Sequence, residues 1–241
     1  MTALRLAGAG EAADLAAFLG RLLHYDRAAA VRLQASGGVL AVFGRPPSFE
    51  VLAIRTARLA DDLDLDLDVT VSAGELLEGI AEPAGVLTVP AAVTGPPWAG
   101  VLPPRGGWRR VPGLPAPEAL VRTVAAAVAE FRARDEALPP QHRTRGERDR
   151  IGREIWSRAL GDTHLPLRAA HAAQSLGFLR PAHAGALAGG GTSPAAPAPQ
   201  PLSLLAAGGW LRLSTPYGSI AVRTGGATGL TGLSGLSVTP S

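Results

Sequence analysis

The 241-residue chain contains no cysteine, and among its 23 basic side chains there is no lysine, so every one is arginine. Without cysteine there are no disulfides, no thiolate nucleophile, no iron–sulfur ligation and no thiolate zinc site. Any metal would have to be held by histidine and carboxylate. Without lysine there is no Walker-type phosphate loop, and the glycine-rich stretch Gly185 to Gly191 is not followed by an apolar helix, which removes the Rossmann reading as well. Asparagine is also absent, and the missing residues are those with AT-rich codons, so the arginine bias reflects genome composition. Long apolar runs are lacking too: no window approaches the roughly 18 residues of a membrane span. The apolar stretch in the first twenty residues carries Glu11 and Asp14, unlike the core of a signal peptide. These features predict a cytoplasmic protein.

A hydrophobic content of 46% is enough for a real core, while a net charge of +3 is far from the excess needed to neutralise a run of phosphates. Leu15, Phe18, Leu19, Leu22 and Leu23 have the spacing of an amphipathic helix over Glu11 to His24. Val31 to Gln34, Val39 to Phe43 and Phe49 to Leu59 are β-rich runs separated by Ser36-Gly37-Gly38 and Arg45-Pro46-Pro47, the pattern of an antiparallel meander. Leu63 to Val71 alternates apolar and polar residues. Ser72 with Glu75 three positions on is a capping box handing that strand to a short helix. Gly85 to Val89 is a further strand, and Pro90 to Pro115 is a proline- and glycine-dense loop in which Trp108 to Val111 pairs briefly.

Three helices follow: one opened by Pro117, with Leu120, Val124, Val128 and Phe131 on one face; one from about Thr144 to Leu160; and one beginning near Thr163, after which Pro166 leads on to a stop at Gly177, with Phe178 packing back. Gly209 to Leu213 and Ser219 to Arg223 flank the turn Thr215-Pro216-Tyr217-Gly218. An isolated hairpin is marginal in water, so this one should complete the N-terminal sheet. The predicted architecture is α+β: a mostly antiparallel sheet from Val31 to Val111, helices packed on one face, and the C-terminal hairpin joining an edge. The predicted organisation is a main domain over 1–180, an Ala/Pro/Gly linker over 181–201, the hairpin over 202–224 and a disordered tail over 225–241.

Three blocks, GPPWAGVLPPRGGW at Gly95 to Trp108, REIWSRALGDTHLPLRAAHAAQSLGFL at Arg153 to Leu179, and GGWLRLSTPYGSIAVR at Gly208 to Arg223, cover about a quarter of the chain. On these blocks the chain resembles a group of uncharacterised actinobacterial proteins of the kind found in Streptomyces. The resemblance implies kinship and carries over no functional residue.

Chemistry-bearing patterns are sparse. No G-x-S-x-G elbow occurs, and the five histidines are scattered. Asp162, His164 and His171 are a weak metal cue, with capping of the third helix by Asp162 or Thr163 as the plainer reading, so no metal and no cofactor is assigned. In the run Asp61 to Asp68, Asp64, Asp66 and Asp68 share one strand face, which suits a solvated edge better than a calcium loop. Arg145, Arg148 and Arg153 suggest a nucleic-acid surface, yet Glu147, Asp149 and Glu154 are interleaved among them. The most distinctive feature is the proline-framed loop bearing Trp98, Arg105, Trp108 and Arg110, which combines stacking faces with anion-pairing forks. The leading expectation is a non-enzymatic binding or regulatory protein with a protein or small-molecule partner. The alternatives are an enzyme using that loop on a small anionic substrate, with a histidine as acid or base, and a nucleic-acid regulator using the arginine-rich helix.

Overall fold

The computed structural model describes residues 2–61, 67–180 and 202–224. The expected linker over 181–201, the tail over 225–241 and most of the acidic run, residues 62–66, lie outside the described residues. In chain order the first part holds β1 (Thr2–Arg5), α1 (Ala9–Tyr25), β2 (Ala30–Ser36), β3 (Val39–Gly44), β4 (Leu52–Arg58), β5 (Leu67–Ser72), α2 (Ala73–Glu78), β6 (Ile80–Ala81) and β7 (Val86–Val89). The second holds β8 (Arg109–Val111), α3 (Pro117–Glu136), α4 (Arg145–Trp156), α5 (Leu167–Ser175), β9 (Ser203–Ala207), β10 (Trp210–Thr215) and β11 (Gly218–Arg223).

The expected α+β architecture is what forms. An eight-stranded antiparallel sheet runs in the order β5-β2-β3-β4-β11-β10-β9-β8. Its two halves are built alike: in each, a helix precedes a three-stranded meander whose last strand lies at the centre, and a fourth strand pairs with the first strand of the meander. The halves meet where β11 pairs with β4, in the register Ser219 to Ile54, Ile220 to Ala53 and Ala221 to Leu52. The C-terminal hairpin does join the free edge of the N-terminal meander. It does not end the sheet, however, because β9 and β8 extend it on the far side.

Strand alternation sorts the side chains onto two faces. On one, Val31, Leu33, Leu40, Val42, Ala53, Leu211, Leu213, Ile220 and Val222 form a continuous core with the helices. Helix α1 lays Leu15, Phe18, Leu19 and Leu22 against the N-terminal half, and α5 packs on β11 with Ala169, Ala170, Ala172 and Ala173 buried. Alanine is the residue that lets a helix approach a sheet closely. Helices α3 and α4 pack around α5, contributing Leu120, Val124, Ile151 and Ile155.

Local signals act as expected at several points. The Ser72 hydroxyl accepts from the Glu75 amide at 3.4 Å and starts α2. Gly177 ends α5 with φ +74°, and the Phe178 amide reaches back to the Ala173 carbonyl at 2.7 Å, a Schellman closure that stacks the Phe178 ring on Phe18. Gly218 has φ +151°, and a Cβ there would lie 2.7 Å from the Phe178 ring, so the hairpin approaches the helix layer only because that residue is glycine.

Three expectations are corrected. The strand near Gly85 to Val89 does not belong to the main sheet: β7 pairs with β1 and β6 in a separate three-stranded sheet beside α1 and α2. Strand β4 begins at Leu52, because residues 47–50 are spent in a turn. Thr163 does not cap α5. Its hydroxyl donates to the Leu160 carbonyl and accepts from the Leu165 amide, bracing the turn before Pro166, which itself occupies the N-cap.

Candidate functional site

Among the described residues the second face of the sheet carries no α-helix. Phe43, Leu52, Ile54, Trp210 and Ala221 form a small apolar cluster on it, and a strap made by residues 95–108 lies across them. Trp98, Leu102 and Trp108 point down onto that cluster. Prolines at 96, 97, 103 and 104 pre-set the strap backbone, and the indole of Trp108 donates to the Pro104 carbonyl at 3.0 Å. Two arginines rising from the sheet stack on indoles: Arg212 over Trp108 at 5.6 Å and Arg223 over Trp210 at 5.8 Å.

Where the strap crosses the central seam, an open cleft of about 450 Å³ is left. Arg45, Glu50, Trp98, Arg168, Trp210 and Arg223 line it. They come from the end of β3, the turn before β4, the strap, the first turn of α5, β10 and the end of β11. Three guanidiniums face one carboxylate, so the cleft is electropositive. Glu50 has φ +52°, and among the described residues it alone combines a side chain with a left-handed backbone. Its carboxylate stands 4.0 Å from Nε of Arg168, and that nitrogen is buried with no hydrogen-bond partner among the described residues.

The four residues singled out in the strap are separated by the fold. Trp98 lines the seam cleft. Arg105 lines a smaller groove of about 180 Å³ on the other side of the strap, together with Arg212. Trp108 packs between the strap and the sheet. Arg110 lies on edge strand β8 opposite Leu205, with its side chain exposed.

Of the four arginines of α4, Arg145, Arg148 and Arg150 face carboxylates, while Arg153 has no carboxylate partner among the described residues. Arg148 binds Asp135 at 2.7 Å and Arg145 lies 3.8 Å from Asp149. Arg134 forks onto Glu154 at 2.8 and 2.7 Å, and Arg158 forks onto Glu130. These hydrogen bonds push the Arg134 and Arg158 pKa values up and hold both glutamates below the usual carboxylate range. The network stitches α3 to α4, and Arg153 stands beside it on the exposed side of α4.

The histidines of the metal cue also part company. His164 is exposed on the turn before α5, whereas His171 is stacked on Trp156 at 4.3 Å and meets Phe49 edge-on at 5.1 Å. Burial holds the His171 pKa below its ordinary value. Among the described residues no three histidine or acidic side chains converge as a metal site. Asp68, the described member of the acidic run on β5, accepts from Arg32 at 2.7 Å and from Gln34 at 3.2 Å, so its pKa is lowered chiefly by the Arg32 hydrogen bond.

Fold and site together define an α+β protein with a two-part sheet and an arginine- and tryptophan-lined cleft at the junction of the parts. The family described as domain of unknown function (DUF8185) matches residues 103–227, just over half of the chain, and the chain belongs to it. A second domain of unknown function, DUF8010, matches residues 1–100. The first stretch supplies β4 and the second supplies β11, so the seam of the sheet is also the meeting line of the two family segments. No curated protein and no solved structure matches the chain. No helix among the described residues is long and apolar enough to cross a membrane.

Proposed function

We propose that the protein is a non-enzymatic binding or regulatory protein whose seam cleft takes a small anionic ligand with a flat, apolar part. The observation that carries this reading is the gathering of Arg45, Arg168 and Arg223 around Trp98 and Trp210. Guanidinium forks match carboxylate and phosphate oxygens, and indole faces accept planar rings. The cleft volume falls within the roughly 300–1,000 Å³ of small-molecule sites. A cytoplasmic setting and an actinobacterial kinship are part of the same proposal.

The test is a thermal-shift and tryptophan-fluorescence titration of the full chain with aromatic carboxylates and nucleoside monophosphates, alongside their uncharged counterparts. Charged probes should raise the melting temperature and neutral ones should not. Arg168→Gln should weaken binding about tenfold or more, the usual scale for losing a charge-assisted hydrogen bond. Equal binding by Arg168→Gln, or no response to any anion, would sink the proposal.

One observation favours the enzyme reading as an alternative. Backbone strain collects at functional sites, and Glu50 is held left-handed at the cleft mouth. The acid or base expected for this reading was a histidine, but none lines the cleft, so the role falls to Glu50. In that case Glu50→Gln would keep ligand affinity and lose turnover. A nucleic-acid role has less support, since Arg148 is already paired with Asp135.

A further inference from the structure

The groove on the other side of the strap has a feature that neither the seam cleft nor the packing of the sheet uses. Arg212, on β10, sits over the indole of Trp108, and its Nε donates to the Ser219 hydroxyl at 2.8 Å. One edge and one face of the guanidinium are therefore fixed. Its two terminal nitrogens have no protein acceptor among the described residues, and no described carboxylate pairs with it. Burial alone acts on this group, pulling its pKa down, yet a guanidinium stays charged at any ordinary pH. A half-buried cation whose open nitrogens face a groove and meet no protein counter-charge is a ready seat for an anion.

The surroundings offer a place for the counter-charge. The groove, about 180 Å³, is lined by Arg212 and by Arg105 from the strap, with Gln34 and Thr56 on the sheet floor. The carboxylate that feels Arg105 is Asp68, and it is already engaged by Arg32 and Gln34. We propose that this groove is a second, separate oxyanion site, in which the open fork of Arg212 binds a phosphate or carboxylate group two-pronged and Arg105 closes over it from the strap. The volume admits a single acid group with a small substituent, so the site recognises the charged end of a ligand and leaves the rest outside. Since Trp108 belongs to the strap and forms the face beneath Arg212, occupancy of the groove is communicated to the indole.

The experiment titrates the full chain at constant ionic strength with inorganic phosphate and, in a parallel arm, with acetate, following the Arg212 Nε–H and Trp108 indole N–H resonances. A saturable shift of the Arg212 resonance is expected in one arm or both, and the stronger arm identifies the acid group. Arg105→Ala should move the Arg212 response to about tenfold higher anion concentration. Arg212→Gln should abolish the anion response of the Trp108 indole N–H resonance, while Arg168→Gln, in the seam cleft, should leave the midpoints of the Arg212 and Trp108 resonance shifts where they are. An Arg212 resonance that neither anion moves overturns the proposal, as does a wild-type response in Arg212→Gln or loss of the response in Arg168→Gln. If Arg212→Gln does not fold, the Arg105→Ala titration decides by itself, an unshifted midpoint being the negative result.

Discussion

Arg55, in the middle of β4, donates from Nη1 to the backbone carbonyl of Tyr217, in the turn of the hairpin 162 residues away. Its other terminal nitrogen binds Asp14 of α1 at 3.0 Å. Asp14 in turn receives Arg180 at 3.2 Å, and Arg180 lies over the Tyr217 ring at 4.3 Å. One carboxylate and two guanidiniums thus fasten helix, N-terminal strand and C-terminal hairpin at the same point.

The clamp should matter because the Arg55 side chain is only 8% exposed. Asp14→Ala would leave that charge without its closest carboxylate. Breaking a fully buried pair costs about 3–5 kcal/mol, but Asp14 is partly open to water, so about 2 kcal/mol is the expected loss. Calorimetry should record a melting point lower by roughly 4–8 °C. An unchanged melting point would mean that water or Glu11 replaces Asp14 at no cost.

Ending the chain at Gly191 should remove the fold's cooperativity altogether. Leu211, Leu213, Ile220 and Val222 are all buried against the helices. At about 1.5–3 kcal/mol each, their burial is of the same size as the whole net stability of a domain. Expression as insoluble protein, or loss of a sharp thermal transition, is the expected result. A truncated chain melting like the full one would contradict the central position of β11.

Gly218→Ala is the sharpest test of how closely the hairpin meets the helix layer. The added methyl would meet the Phe178 ring at 2.7 Å and the backbone is at φ +151°. Strain and overpacking together should destabilise by about 2–4 kcal/mol. Phe178→Ala should be less damaging in the Gly218→Ala background than in the wild type, which a double-mutant cycle would measure.

Acid sensitivity should trace to His171. Burial holds its folded-state pKa below the ordinary 6.5, so the unfolded chain takes up the proton first. Where the unfolded state binds more protons, stability rises with pH. The contribution is therefore complete above about pH 6.5 and is lost as the pH falls through the range below it. Thermal melts at pH 7.5 and 5.5 should show the drop, and His171→Gln should flatten it. A drop of the same size in the variant would place the titrating group elsewhere.

Electrophoretic mobility shifts with duplex DNA should give only weak, salt-sensitive binding, and Arg148→Ala should lower the melting temperature more than it changes DNA affinity, since Arg148 binds Asp135 at 2.7 Å. A dissociation constant tighter than about 0.1 μM at physiological salt, lost in Arg148→Ala and Arg153→Ala, would reverse the ranking of functions.

Much of the fold was legible because its signals are local. The 3.6-residue spacing in α1, the alternation in β2 and β3, the Ser72 cap and the Gly177 stop each lie within one short window. Strand β1, with four residues, and β6, with two, carry too little periodicity to stand out, and their pairing with β7 is decided by the tertiary packing of α1 and α2. Strand β9 follows a stretch of alanine and proline that masks its start. The site was legible only in Trp98. Arg45, Glu50, Arg168, Trp210 and Arg223 lie far apart in sequence and meet only because β11 returns to β4. Arg212 gave no signal at all, since an arginine alternating with leucines on a strand reads as a solvent-facing residue until a strap is found over it.

The pairing of β4 with β11 also sets an order of events at the ribosome. Strand β4 ends at Arg58 and its partner begins at Gly218, so at about 5–20 residues per second the N-terminal meander waits roughly ten to thirty seconds for the strand that closes it. Throughout that interval one row of backbone donors and acceptors is open to any passing strand.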